Sequence, residues 1–130
     1  MGFRRTAWTM TTSWSRRAIR RGDVFWVEFD PVVGSEIAKL RPAVIVSSNP
    51  GNQFAPVVTV VPFTTYRGRQ VHIFEALVPD GSRGLAAPSV AKGNQIRTVD
   101  KQRLHDYMGT LSANHVRDVD QAIRYHLDLM

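Results

Sequence analysis

The 130-residue chain contains no cysteine. Disulfides, thiolate metal sites and cysteine nucleophiles are therefore excluded. No apolar stretch approaches the roughly 20 residues that a bilayer-crossing helix needs, and the N-terminal region lacks the continuous apolar segment of a secretion signal. The expected setting is the cytoplasm, away from membranes. The four histidines, His72, His105, His115 and His126, are scattered, with no HxxxH pair to converge on a cation, so neither a metal nor another cofactor is expected. A G-x-S-x-G elbow, a Walker loop and a dinucleotide fingerprint are also missing, which removes the familiar hydrolase and nucleotide-binding readings. No internal repeat is present.

Acidic residues are missing from one place in particular. The first 21 residues hold six arginines (Arg4, Arg5, Arg16, Arg17, Arg20, Arg21) and no acid. With 17 basic and 11 acidic residues in the whole chain, that segment accounts for the entire net charge of +6. The rest of the chain is neutral, so only a local basic patch can attract phosphate there. Residues 1–20 are set apart from the fold. A disordered basic arm, a transit-like segment and an extension upstream of a start at Met10 all fit their composition. Residues 21–130 make one domain, large enough for a proper core.

Within that domain the pattern is mostly β. Val24–Phe29 is rich in β-branched and aromatic residues between Gly22-Asp23 and Asp30-Pro31, and Ala43–Ser47 is a second, more buried strand. Asn49-Pro50-Gly51-Asn52 reads as a turn. Val57–Val61 is the strongest strand signal, with Pro62 expected to stop its ladder for want of a donor. Gln70–Val78 alternates as a further strand, and Ser89–Thr98 as another, interrupted at Gly93. Asp100–Leu104 suits one helical turn and Tyr107–Leu111 a short edge strand. Ser112 caps a helix in which Val116, Val119, Ile123 and Leu127 recur at helical spacing. The fold class is α+β, mostly β: a small barrel of five to seven short strands with a C-terminal amphipathic helix.

Candidate chemistry gathers in the loop Gly34-Ser35-Glu36-Ile37-Ala38-Lys39 and the Arg41-Pro42 step that ends it. Arg41, at the mouth of a buried strand, can grip a phosphate with two N–H groups and stays charged throughout the physiological range. An ion pair to Glu36 or Glu28 that merely pins the loop accounts for it equally well. Thr64 and Thr65 emerge just beyond Pro62-Phe63, with turn capping as the plainer role. Tyr66, Arg67 and Arg69 add an aromatic and two cations beside them, a patch fit for backbone contact and base stacking. Lys92, Asn94 and Gln95 sit in the glycine-broken strand, where amides can read a base edge. Phe25 and Trp26 point to opposite strand faces, one to the core and one free for an interface.

Taken together, Arg21–Val27, Asp30-Pro31 with Gly34-Ser35-Glu36, Arg41-Pro42-Ala43-Val44, Val60–Thr65 and Gln95–Leu104 resemble the MazF/PemK (Kid) toxin family, over residues 21 to about 129. The resemblance implies an SH3-like barrel that works as a homodimer, a toxin of a type II toxin–antitoxin system. It implies metal-independent, sequence-specific cleavage of single-stranded RNA by 2′-hydroxyl attack, leaving a 2′,3′-cyclic phosphate and a 5′-hydroxyl. The family's catalytic arginine maps onto Arg41 and its threonine onto Thr64, with Glu36 as a candidate base. Gly34, Ser35 and Glu36 match the loop that covers the substrate groove, and Gln95-Ile96-Arg97 a segment near the substrate surface and the dimer. Lys39, Thr65, Tyr66, Arg67, Arg69 and Lys92 complete the expected substrate-binding set with Gly34, Ser35 and Gln95. The partner implied is an antitoxin with an acidic tail, suited to Lys39, Arg67 and Arg69. Two rival readings are a CcdB-like gyrase poison without a nuclease site and a non-catalytic nucleic-acid-binding barrel.

Overall fold

A computed structural model describes residues 18–79 and 85–129 of the chain; the basic segment up to residue 17 lies outside them. Seven strands form one antiparallel sheet: β1 (Asp23–Glu28), β2 (Leu40–Ile45), β3 (Val57–Thr65), β4 (Glu75–Val78), β5 (Ser89–Lys92), β6 (Arg97–Asp100) and β7 (Leu104–Thr110). The hydrogen-bonded order is β4-β5-β3-β2-β1-β7, with β6 also on β3. Two helices accompany it, a short α1 (Asn49–Phe54) and the C-terminal α2 (Ala113–Leu127).

Both faces are buried in the middle of β1, β2 and β3, so Val24–Val27, Ala43–Ile45 and Val60–Phe63 are continuous apolar runs rather than alternating ones. On one face Phe25, Val27, Ala43, Ile45, Val58 and Val60 meet Ile19, Phe29, Val99 and Leu104. On the other Val24, Val44, Val61 and Phe63 meet Ala76, Val78, Ala91 and, from α2, Val119 and Ala122. The first core is the inside of an SH3-like ring, β7-β1-β2-β3-β6. The ring stays open between β6 and β7, where a 3-10 turn, Lys101–Arg103, carries the chain from one edge to the other. Asp100 caps that turn by accepting from the Gln102 N–H at 2.8 Å. Ile19 already packs into this core, two residues ahead of the domain start read from the sequence.

The second core needs the helix. Ser112 caps it, its hydroxyl accepting from the His115 N–H at 3.3 Å. Arg21 ties it to the start of β1 through a paired contact with Asp120 at 3.1 and 2.5 Å. Val116 and Ile123 pack only partly, and Leu127, expected on the apolar stripe, is 48% exposed. Ala122 takes the buried place, because only a methyl fits beside Gly93.

Three local expectations change. Asn49–Phe54 is a turn and a half of helix, not a simple turn. Pro50 is accommodated in its first turn, where the backbone N–H groups have no intrahelical acceptor. Residues 70–74 are not strand: the Glu75 carboxylate gathers Arg69 and the His72 N–H around itself, and the chain curls to let it. Pro62 lies inside β3 instead of ending it. The Thr59 N–H and C=O both address the β2 side, toward Ser47 Oγ and the Val46 N–H. By backbone alternation Pro62 addresses the opposite edge. There the partner strand is broken: β6 pairs with Val57–Val60, β5 with Phe63–Thr65, and nothing pairs between. The missing donor falls where the ladder has none to lose. The interruption expected at Gly93 is that break.

Candidate active site

The β1–β2 loop, residues 29–39, is held shut at its base. The Phe29 N–H reaches the Lys39 carbonyl at 2.9 Å, and the Lys39 N–H reaches Asp30 Oδ1 at 3.0 Å. Lys39 adopts a φ of +70°, a left-handed turn that a non-glycine residue takes only when its surroundings impose it. From the 3-10 turn Arg103 donates to the carbonyls of Glu28 (3.0 Å) and Asp30 (2.5 Å). Arg97 donates to the Phe29 carbonyl at 2.8 Å, its guanidinium 5.8 Å from the Phe29 ring centroid. Two guanidinium groups thus replace the ladder partners that the strand end lacks.

Arg41 and Thr64 come together through register. β2 pairs with β3 at Ala43–Pro62, Val44–Val61 and Ile45–Val60. Continued two residues, that register sets Arg41 across from Thr64. By strand alternation Arg41 shares the face of Ala43 and Ile45, and Thr64 that of Val60 and Pro62. Both stand at the solvent rim of the first core, half-buried. Arg41 Nε donates to the Ala38 carbonyl at 3.0 Å. It forms no ion pair among the described residues; Glu28 and Glu36 instead accept from the N–H groups of Asp30 (3.2 Å) and Val33 (2.6 Å). Its outer N–H groups donate to no described residue.

Beside this rim the broken strand opens a cavity of about 440 Å³ between Ser35-Glu36-Ile37, Pro62 and Asn94–Arg97, with Phe29 and Val33. Gln95 bridges its two walls, accepting from the Ile37 N–H at 3.2 Å and donating to the Ser35 carbonyl at 3.4 Å. The position of that wall depends on Gly93. A methyl group there would lie 2.5 Å from the Phe74 carbonyl oxygen and 3.2 Å from the Ala122 methyl. The backbone therefore dives beneath α2 and re-emerges with Asn94 and Gln95 at the cavity.

The sequence candidates divide into two groups. Gly34, Ser35, Glu36, Lys39, Arg41, Thr64 and Gln95 surround the rim and cavity, and Thr65, Tyr66 and Arg67 continue β3 away from it. Arg69 and Lys92 belong to a separate cluster. Arg69 grips Glu75 with two bonds, 2.8 and 3.1 Å, and Lys92 adds a third at 2.5 Å. The Glu75 side chain is fully buried. Burial alone would raise its pKa, but the Arg69 and Lys92 bonds and the His72 N–H outweigh it and hold the carboxyl at about 2. Arg69 is raised in turn by Glu75. Sequence reasoning did not single out Glu75 or Arg103; an acid inside the apolar run Phe74–Val78 was the available signal for the first, and none marked the second.

An open antiparallel ring around one core, a helix closing a second and a cationic rim beside a cavity are the marks of the small SH3-like toxin domains. The agreement with known proteins is specific. Residues 20–127 match the family described as PemK-like, MazF-like toxin of type II toxin–antitoxin system, and the chain belongs to that family. It is 37% identical over 116 residues to the endoribonuclease MazF9 of Mycobacterium tuberculosis, covering 85% of this chain and 98% of that one. It is 36% identical over 118 residues to the endoribonuclease EndoA of Bacillus subtilis, covering 86% and 97%. Among solved structures, a mycobacterial endoribonuclease in complex with its cognate antitoxin superposes with a TM-score of 0.69 at 25% identity, over 85% of this chain and 96% of that one. MazF of Deinococcus radiodurans, at 21% identity, shares the fold with a TM-score of 0.73 over 87% and 99%.

Proposed function

We propose that this toxin cleaves single-stranded RNA at specific words without a metal ion and thereby arrests translation and growth. The observation that supports the reading is the β2–β3 register, which, continued two residues past its last pair, puts Arg41 opposite Thr64 at a solvent-open rim. In RNA the nucleophile is built into the substrate: the 2′-oxygen attacks the adjacent phosphorus, and the bond to the 5′ oxygen breaks. The protein has then only to move protons and stabilise charge. Arg41 neutralises the pentacoordinate phosphorane and protonates the departing 5′ oxygen, while Thr64 donates a hydrogen bond to a non-bridging oxygen. A guanidinium is too weak a base to take the 2′ proton. Glu36 takes it, an exposed carboxylate on the cavity wall with one oxygen committed to Val33. The products are a 2′,3′-cyclic phosphate and a 5′-hydroxyl. Among the described residues no three His, Asp or Glu side chains converge as metal ligands, and each step above is assigned to a side chain of the rim or to the substrate itself.

The toxin acts as a homodimer in the cytoplasm, neutralised by an antitoxin whose acidic tail occupies the same groove. The exposed Lys39 and Arg67 suit that tail. Arg69 offers it less, because Glu75 already neutralises its charge. The test is cleavage of a long mixed-sequence RNA in EDTA by wild type and Arg41→Ala. The variant should lose at least about 10²–10³ in rate with its dimer intact by size-exclusion chromatography. Near-wild-type cutting by the variant, or product from an oligonucleotide carrying 2′-deoxyribose at the cut, refutes the mechanism.

A further inference from the structure

Around the cleavage rim the charges nearly cancel. Three carboxylates (Glu28, Asp30, Glu36) stand against four cations (Lys39, Arg41, Arg97, Arg103), and the last two donate to backbone carbonyls. Arg69 and Lys92 share the buried Glu75. A polyanion is drawn only weakly to such a surface. The net charge lies instead in the first 21 residues, which carry six arginines and no acid. Arg21 is paired with Asp120. Arg4-Arg5 and Arg16-Arg17 lie ahead of the described residues, with Trp8 and Trp14 between the two pairs. Cations interleaved with aromatics are the composition that holds unpaired nucleic acid, through phosphate contacts and stacking on base faces. The root of this segment is fixed near the site. Ile19 is buried in the first core, the Arg20 N–H reaches Asp23 Oδ2 at 2.9 Å, and the Gly22 N–H reaches the Ile45 carbonyl at 2.8 Å. Ile45 is four residues from Arg41 along β2, about 13 Å. Seventeen residues span up to about 60 Å, so both arginine pairs can reach a strand lying in the rim.

We propose that residues 1–17 are an RNA-capturing arm: Arg4, Arg5, Arg16 and Arg17 pair with phosphates outside the groove, and Trp8 and Trp14 stack on unpaired bases. This rests on the RNA-cleaving reading above. The arm adds affinity and no sequence information, because every nucleotide offers a phosphate and every base a π-face. The word cut is left to the rim and cavity. Cations that neutralise phosphates release counterions, so the arm also sets how steeply capture falls with salt. Each phosphate contact on a single strand contributes a slope of about −0.7 in log affinity against log salt, and four contribute about −3. Between about 50 and 200 mM salt the four arginines alone should account for a loss of about 50-fold in affinity. An acidic peptide would also attract the arginines, but it offers the tryptophans no base to stack on.

The experiment has two stages, both on the full chain. First, 5′ ends are mapped after digestion of a long mixed-sequence RNA, which gives the word cut. Second, a fluorescent RNA holding that word, with 2′-deoxyribose at the cut, is bound across about 50–200 mM KCl and followed by anisotropy. The wild type is compared with the fourfold variant Arg4→Gln, Arg5→Gln, Arg16→Gln and Arg17→Gln. The wild-type slope should be steeper by about 3. On cleavable RNA the variant's loss should fall on KM, with the same word cut. The double variant Trp8→Ala and Trp14→Ala should bind about tenfold or more weakly at every salt concentration, with the wild-type slope. Slopes of wild type and fourfold variant within about 1 of each other, or a loss carried by kcat, overturn the arm while RNA cleavage by the wild type stands. Undiminished affinity of the double variant overturns the stacking. Absence of cleavage of any RNA by the wild type overturns the reading beneath it, and the proposal with it.

Discussion

Glu75 offers the sharpest test of how the β3–β4 segment is held. The substitution is Glu75→Gln, which keeps the shape and removes the charge. The carboxyl titrates at about 2 in the folded chain against an ordinary 4.5. At about 1.36 kcal/mol per pH unit the difference is worth about 3 kcal/mol. Part of it comes from Arg69, whose side chain is 45% exposed and screened by water, so about 2 kcal/mol is the better expectation. The folded-state pKa is depressed, so this stability is fully present above pH 4.5 and drains away as pH falls from 4.5 toward 2. Urea denaturation followed by tryptophan fluorescence should show wild type about 2 kcal/mol more stable than the variant at pH 7, or about 6–10 °C in Tm. By pH 2 the two should nearly coincide, because the wild-type carboxyl is then half protonated in the folded chain and only about 0.4 kcal/mol of the difference remains. A difference that stays constant from pH 7 to pH 2, or one below about 0.5 kcal/mol at pH 7, refutes the claim that this carboxylate organises the segment through its charge.

Two further substitutions probe the backbone that presents the site. Gly93→Ala should cost about 3 kcal/mol, because the new methyl meets a backbone carbonyl at 2.5 Å rather than a yielding side chain. RNA cleavage should fall at least about tenfold below the lowered Tm, since the Asn94-Gln95 wall must shift; a Tm within about 2 °C of wild type counts against the account. Asn52→Ala removes a buried amide that accepts from Ser47 Oγ and donates to the Ser47 carbonyl at 2.8 Å. It should cost about 2 kcal/mol by urea denaturation while leaving the RNA word unchanged, because neither Asn52 nor Ser47 lines the cavity.

The strands that carry the cores were legible because their period is set by burial. Phe25 and Val27, Ala43 and Ile45, and Val58 and Val60 face the first core while their neighbours Val24, Val44 and Val61 face the second, and β-branched runs of that length form strands in most contexts. Ser112 and the 3-10 turn after Asp100 were legible for a different reason, since a cap bonds only its own neighbours. What escaped was decided by partners distant in sequence. Whether Pro62 ends a strand depends on what lies at its edge, and residues 93–96, some 30 positions on, decide that. Whether Arg69 and Lys92 are free cations depends on Glu75 being buried between them. The placement of Arg41 shows the boundary well. Residue type and position at a strand mouth marked it as either a phosphate ligand or a loop pin; in the fold Glu28 and Glu36 accept from backbone N–H groups, and Arg41 Nε donates to the Ala38 carbonyl.

One missing N–H organises much of the site. A β3 strand with a donor at every position would hold β5 and β6 as one continuous neighbour, closed along its whole edge. Proline at position 62 removes the donor on that edge, so the neighbour can leave the ladder without abandoning a buried N–H. Gly93 makes the departure compact by fitting beneath α2, and the five residues Lys92–Ile96 then face two on β3. The excess backbone carries Asn94 and Gln95 outward to the β1–β2 loop, where Gln95 fastens Ser35 and Ile37 and thereby places the Ala38 carbonyl that orients Arg41. Arg41 and Thr64 lie two residues beyond the last β2–β3 pair on one side of the same strand, and the cavity lies beside a broken pairing on the other. The two edges of β3 thus differ, one paired continuously with β2 from Val60 to Pro62 and the other left open between β6 and β5.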